Sequence, residues 1–281
     1  MFELNRIVLE SIDSTNTYLK DMASAGSLRP GTCVMAREQL NGRGRGSRRW
    51  RSRAGQSMTA SFWIDAESFF LSNDMLCALP LAAGLASALA LEKHYEDTLG
   101  RRCAGLVKLK WPNDIWTEQG KMGGILCELA ECCGKIGVVV GIGLNLLGSG
   151  KDEFFQDLGR RAVSWEETSG LRWDAEAAFY AVGEQLYDLA AALGQKGFES
   201  MAGDWYERCL HRGRMVTVSM NTAPSDADFQ SGSLKLGEGI GSTGDGSASG
   251  TTVGIGGLGQ LILRNSSGKK IEIMMGDVFM I

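Results

Sequence analysis

The chain has 281 residues but only two histidines, His94 and His211, and none of its seven cysteines belongs to a CxxC pair. Zinc sites need four nitrogen or sulfur ligands at short, paired spacings, so this composition argues against one. Most of the cysteines are instead expected to be buried reduced thiols, which suits a reducing cytoplasm. Basic residues are not in excess: 29 Lys and Arg face 33 Asp and Glu, giving a net charge of −4 and a pI of about 5.4. A general nucleic-acid binder is usually basic, so any basic patch here must be local. The longest apolar run, Met75 to Leu91, is interrupted by Pro80, Gly84 and Ser87. A membrane span needs ~20 apolar residues, so a buried helix is expected there. The opening MFELNRIVLESIDS carries acidic residues where a secretory leader needs a basic and then an apolar region. No GxxxxGK(S/T) phosphate loop occurs, and Gly42-x-Gly44 lacks the third glycine of a dinucleotide fingerprint.

What is present is a globular composition, 44% hydrophobic and 22% charged, on a chain long enough to bury a large core without disulfides or metals. Residues 1–12 read as a strand, and Ser14 opens a helix flanked by the capping side chains Asp13, Thr15 and Asn16. Thr32 to Arg37 and Ser57 to Asp65 read as strands on either side of a loop, Gln39 to Arg53, dense in Gly and Arg. An alanine-rich helix follows over roughly 74–96. Leu106 to Trp111, Ile115 to Trp116, Gly123 to Glu131 and Lys135 to Asn145 are strand candidates, and Val138-Val139-Val140 marks the last as a buried central strand. Phe179, Val182, Leu186, Leu189 and Leu193 recur at helical steps within 174–212.

The composition changes near residue 213. Met215 to Met220 reads as a strand, and Gln260 to Arg264 and Lys270 to Met274 read as a hairpin around Asn265-Ser266-Ser267-Gly268. The Gly- and Ser-rich residues 231–257 read as a long mobile loop within this module. Two domains are expected, 1–212 and 213–281, the second small and all-β.

Three constellations carry chemistry. The first is Gln39-x-x-Gly42-Arg43-Gly44-Arg45-Gly46-x-Arg48-Arg49-Trp50. Glycines allow close backbone approach to a ligand, free N–H groups form an anion nest, and guanidinium groups grip phosphate bidentately. Six arginines between Arg43 and Arg53 would repel one another if left unpaired, which points to a polyanionic ligand. A solvated loop and a nucleic-acid patch are the other readings, the latter weakened because only Trp50 is there to stack on bases. The second is Lys108-x-Lys110-Trp111-Pro112-Asn113-Asp114 followed by Lys121-x-Gly123-Gly124. It sets Asn113 and Asp114 on a rigid turn and Lys121 at the start of a buried strand, where it is either a surface lysine or a cation at a pocket floor. The third is Gly141-Ile142-Gly143-Leu144-Asn145, whose terminal Asn either caps the strand or meets a ligand.

Together these segments resemble the biotin–protein ligases. Ser14-Thr15-Asn16, GRGR, KWPND, KxGGILxE and GIGxNL stand in that family's order. The resemblance covers about residues 8–147 by motif and the C-terminal module by general character. It implies an α+β fold: a class II synthetase-like catalytic domain with a mixed sheet backed by helices, then a small SH3-like β-barrel. It implies biotin and ATP as substrates, with Mg²⁺, and a biotin carboxyl carrier protein, a subunit of acetyl-CoA carboxylase, as the partner. On the biotin side it implies Ser14, Thr15, Asn16, Gln39, Gly42, Arg43, Gly44, Arg45 and Lys121. On the ATP side it implies Arg45, Arg48, Trp50, Asn113, Lys121 and Asn145. Lys121 and Arg45 are the implied catalytic cations, and Asp114 is a candidate to accept the acceptor lysine's proton or to orient its amine. No metal-ligating side chains, membrane or DNA are implied, and assembly as a monomer or homodimer in the cytoplasm is expected. Only 13 residues precede Ser14, too few for the helix-turn-helix that some relatives use to bind DNA. The nearest rivals are a lipoate or octanoate ligase or transferase, a non-catalytic biotin or nucleotide sensor, and an arginine-loop nucleic-acid module.

Overall fold

The structure, a computed structural model, describes residues 4–103, 105–148, 162–220 and 246–280. Its larger part is a seven-stranded sheet in the order β1-β2-β3-β7-β6-β5-β4. Strands β1 (Asn5–Ile12) and β2 (Thr32–Gln39) run parallel, joined by helix α1 (Thr15–Ser24). The other neighbours are antiparallel: β3 (Ser57–Asp65), β7 (Lys135–Asn145), β6 (Lys121–Cys132), β5 (Asp114–Trp116) and β4 (Lys108–Lys110). Every residue of β3 is buried. The sequence there lacks apolar–polar alternation because both faces of this strand are covered.

The strand period of two divides the core. Cys33, Met35, Phe62, Ile64, Val138 and Val140 join the larger apolar cluster. The alternate residues Val34, Trp63 and Val139 pack with Leu19 and Ala23 of α1. Helix α1 therefore covers one face of the sheet. The other is covered by α3 (Leu79–Leu99) and by helices α5 (Ala175–Lys196) and α6 (Glu199–Glu207). The single helix expected over 74–96 is two: α2 (Asn73–Leu76) and α3, separated at Cys77-Ala78. Pro80 sits in the first turn of α3, where its missing N–H has no partner to lose. Helix α4 (Trp165–Ser169) was not anticipated, although Ser164 caps it by accepting from Glu167 N at 3.0 Å, a readable Ser-x-x-Glu spacing.

The C-terminal sheet has five antiparallel strands in the order β11-β10-β9-β8-β12, consistent with an SH3-like barrel. They are β8 (Met215–Ser219), β9 (Ser247–Ile255), β10 (Leu261–Arg264), β11 (Lys270–Ile273) and β12 (Asp277–Met280). Here the loop expected over 231–257 needs correction, because Ser247–Ile255 is the central strand β9. Its small residues are functional for packing: a Cβ on Gly250 would stand 2.7 Å from the Arg264 carbonyl oxygen. Residues 231–245 of that expected loop lie outside the described residues. Strand β12 was also unforeseen. Val216, Val218, Leu261, Leu263 and Val278 of this sheet join the larger apolar core. Among the described residues no helix is long and apolar enough to cross a membrane.

Candidate functional site

A cavity of about 320 Å³ lies over the central strands, bounded by α1, the glycine–arginine loop and the Pro112 turn. Its first wall is the N-terminus of α1. Ser14 caps the helix, its Oγ facing Thr17 N at 3.5 Å. Thr15 donates to Gln39 Oε1 from both N (2.8 Å) and Oγ1 (3.0 Å), which fixes the Gln39 amide. Asn16 is buried in a closed network: its Nδ2 donates to Glu128 Oε2 (2.8 Å) and Leu126 O (3.2 Å), and its Oδ1 accepts from Ser61 Oγ (2.6 Å). Gly141 makes room for it, since a Cβ there would sit 2.2 Å from Asn16 Oδ1.

The second wall is the arginine loop, folded as a narrow hairpin. Trp50 N donates to Gly42 O at 2.9 Å and Gly44 N to Arg48 O at 2.8 Å, around an Arg43↔Arg49 bridge. A Cβ on Gly42 would stand 2.4 Å from Trp50 O, so the hairpin requires glycine there. Arg43, Arg45 and Arg48 reach protein partners, so these guanidinium groups do not stand unpaired. Arg43 pairs with Glu128 at 2.6 Å. Arg45 donates to Asn113 Oδ1 at 3.2 Å and lies 3.5 Å from Asp277. Arg48 pairs with Asp277. Burial alone would raise the Glu128 pKa, but Asn16, Lys20 and Arg43 outweigh it and hold the carboxyl below its ordinary range. Asp277 behaves likewise: burial raises it, and Arg48 and Arg45 overcome that. The loop's charge is thus offset by carboxylates drawn from two different sheets.

The third wall holds the turn. The Trp111–Pro112 peptide is cis. Asn113 Nδ2 donates to Ile125 O at 2.7 Å, which leaves its Oδ1 for Arg45. Lys121 Nζ lies 2.6 Å from Asp114 Oδ1, beside Gly124, where a Cβ would come within 3.3 Å of that ammonium. Asn145 is buried and donates to Val163 O at 3.3 Å. Trp50 lies over Gly143, where a Cβ would meet its indole at 2.4 Å, and its buried indole N–H has no acceptor among the described residues.

The cavity brings together Ser14, Thr15, Asn16, Gln39, Arg43, Gly44, Arg45, Arg48, Trp50, Asn113, Asp114, Lys121 and Asn145. Gly42 stands apart, lining an adjacent cavity of about 340 Å³ behind the hairpin with Leu126 and Glu128. Two residues of this constellation escaped sequence reasoning. Glu128 was visible as the last letter of KxGGILxE. Asp277 carries no local signal, because only the fold brings β12 to the loop.

The site is therefore one that can hold two anionic ligands end to end: a polar, helix-capped pocket at one end, a cationic hairpin over the middle, and an indole with a rigid turn at the other. That is the site of an acyl-activating ligase. Residues 8–145 match the biotin/lipoate A/B protein ligase family. A biotin–[acetyl-CoA-carboxylase] ligase of Paracoccus denitrificans is 29% identical over 279 residues, 97% of this chain and 99% of that one. The bifunctional ligase/repressor BirA of Escherichia coli K12 is 37% identical over 140 residues, 50% of this chain but only 40% of its own. Among solved structures, the biotin protein ligase from Aquifex aeolicus in complex with biotin and ATP superimposes with a TM-score of 0.71 at 25% identity, covering 99% of this chain and 98% of that one.

Proposed function

We propose that this chain is an ATP-dependent biotin–protein ligase that forms biotinyl-5′-AMP and then transfers the biotinyl group to a lysine of a biotin carboxyl carrier protein. The observation that carries this reading is the placement of Arg43, Arg45, Arg48 and Lys121 around one cavity whose other end is the polar network of Ser14, Thr15 and Asn16. The match to an acetyl-CoA-carboxylase ligase along nearly the whole chain supports the carrier.

In the first half-reaction a biotin carboxylate oxygen attacks the α-phosphorus of ATP and pyrophosphate leaves. Two anions must meet, so the barrier is chiefly electrostatic, and positioned cations lower it. Lys121 is assigned to the biotin carboxylate and α-phosphate, and Arg45 and Arg48 to the phosphates. Asp114 and Asp277 hold these cations in place until the substrates arrive. Ser14, Thr15, Asn16 and Gln39 form the biotin pocket, while Trp50, Asn113 and Asn145 form the nucleotide end. Gly42, Arg43 and Gly44 form the hairpin that folds over the adenylate, where excluding water limits hydrolysis of the mixed anhydride. Among the described residues no three His, Cys, Asp or Glu side chains gather as metal ligands, and Mg²⁺ is assigned to the ATP phosphates as part of the substrate.

In the second half-reaction the neutral acceptor amine attacks the biotinyl carbonyl and AMP leaves. Asp114 is the candidate to take the amine's proton, which requires it to release Lys121 first. The catalytic unit is assigned to residues 1–212 and the barrel to 213–281, working in the cytoplasm. The test is pyrophosphate release: it should require biotin and MgATP together. Release supported by lipoate in place of biotin would overturn the substrate assignment.

A further inference from the structure

His211 is fully buried, and the chemistry above gives it no part. It follows α6 on a segment that runs beside β4: Leu109 N donates to Arg208 O at 2.8 Å, and Leu210 N to Leu109 O at 2.9 Å. That pairing sets the imidazole beneath the turn carrying Asn113 and Asp114. The Trp111 backbone N–H donates to His211 Nε2 at 3.3 Å. Pro112 has no N–H, so Trp111 supplies the last main-chain donor before Asn113. Accepting at Nε2 puts the ring proton on Nδ1. There Thr252 Oγ1 of β9 lies at 3.2 Å and Cys209 Sγ at 3.3 Å. Burial, assisted by Lys110, lowers the histidine pKa to about 4, so the ring stays neutral and keeps its acceptor at physiological pH. Trp111 has a second tie to the same sheet, its indole Nε1 donating to Gly259 O at 3.0 Å.

The geometry points to His211 as a positioning residue for the nucleotide end of the site: it ties the Trp111–Asp114 turn to the segment that follows α6, and so sets where Asn113 meets Arg45 and where Asp114 meets Lys121. This rests on the ligase reading given above. The two contacts it controls are direct, 3.2 Å for Arg45 to Asn113 and 2.6 Å for Lys121 to Asp114. A turn displaced by about an ångström misplaces both, and displacements of that size cost up to about a hundredfold in rate. The pocket wall at Ser14 to Asn16 hangs on α1 and β2 instead, so biotin feels the clamp only at its carboxylate end, through Lys121 and Arg45. The C-terminal sheet meets the same region through the Asp277 pairs with Arg45 and Arg48 and through Thr252, which orients the His211 ring.

Two near-isosteric substitutions separate positioning from plain stability. In His211→Gln the amide oxygen reaches the place of Nε2 and accepts from Trp111. In His211→Asn the shorter side chain reaches only the place of Nδ1, so it serves Thr252 and leaves the Trp111 N–H without a partner. Pyrophosphate release gives KM for ATP and for biotin, and hydrogen exchange reads the Trp111 amide directly. His211→Asn should raise KM for ATP about tenfold or more, raise KM for biotin much less and speed exchange at Trp111, and His211→Gln should restore wild-type behaviour in both. Thr252→Val removes the acceptor for Nδ1–H and spares the Trp111 bond, so it should leave KM for ATP near wild type even with reduced stability. The proposal is overturned if the Asn and Gln variants share one KM for ATP, or if Thr252→Val raises it as much as His211→Asn does. A wild-type protein releasing no biotin-dependent pyrophosphate would sink the ligase reading, while the Trp111 exchange rates would still decide the clamp.

Discussion

Arg48, in the glycine–arginine hairpin, donates to the carboxylate of Asp277, 229 positions later on the edge strand of the C-terminal sheet. The pair joins the two sheets directly across the mouth of the cavity. Asp277 is mostly buried and Arg48 half-exposed, so solvent screening limits the pair to about 1 kcal/mol, or about fivefold in the hairpin's opening equilibrium. Asp277→Asn should therefore speed trypsin cleavage within residues 43–53 several-fold, and biotin with MgATP should suppress it. Mass spectrometry of early fragments reads this, and unchanged cleavage would show that the hairpin is held by other contacts.

Gly141 and Gly143 lie two residues apart on β7 and face different ends of the same cavity. A Cβ at Gly141 collides with Asn16, and one at Gly143 collides with the Trp50 indole. Neither backbone can retreat, because β7 is paired on both sides by β3 and β6. Overpacking of this kind costs about 1–3 kcal/mol. Calorimetry should find biotin affinity lowered about tenfold or more by Gly141→Ala with little change for ATP. Gly143→Ala should do the reverse, and a uniform loss in both would indicate general unfolding of the sheet.

Lys121→Ala removes the cation assigned to the biotin carboxylate and the α-phosphate, and pyrophosphate release should fall about a hundredfold or more, as when one charge-stabilising donor is lost. Arg45→Gly acts on retention instead. It loses the tie to Asn113, so the adenylate should escape and label bystander lysines. Labelling confined to the carrier would reject that role.

The segments that form the larger sheet were legible because strand ends coincide with local chemistry. Ser57–Asp65 and Lys135–Asn145 stand where the sequence put them, as does the Asn265–Gly268 turn between β10 and β11. The cavity-lining residues were legible through motifs, three of which, GRGR, KxGGILxE and GIGxNL, set glycines beside polar side chains. What stayed hidden depends on distance along the chain. Asp277 is an ordinary acid until β12 folds beside the hairpin. His211 is an ordinary histidine until β4 aligns with residues 208–210. Strand β9 was masked by composition: Ser247–Ile255 is rich in Gly, Ser and Thr because neighbouring backbones approach closely, as at Gly250, and such residues mimic a linker.

Acid should weaken the protein partly through His211. Its folded pKa of about 4 lies below the ordinary 6.5. The unfolded chain takes up a proton that the folded chain refuses, so stability is full above about pH 6.5 and is lost as pH falls towards 4. The depressed carboxyls Glu128 and Asp277 also lose stability as they protonate, so the His211 share is read as a difference. Denaturant melts of wild type and His211→Gln should diverge by roughly 3 kcal/mol across that window. Parallel curves would show that the imidazole is not held neutral by the fold.

The account stands on cations that bring two anionic substrates together and release the product only to an acceptor lysine. The most direct test mixes the protein, biotin, MgATP and a biotin carrier domain and records the intact mass of the carrier. One biotinyl group added to a single lysine, dependent on ATP and abolished by Lys121→Ala, is the expected result. A carrier of unchanged mass, or one biotinylated equally well by Lys121→Ala, would contradict it.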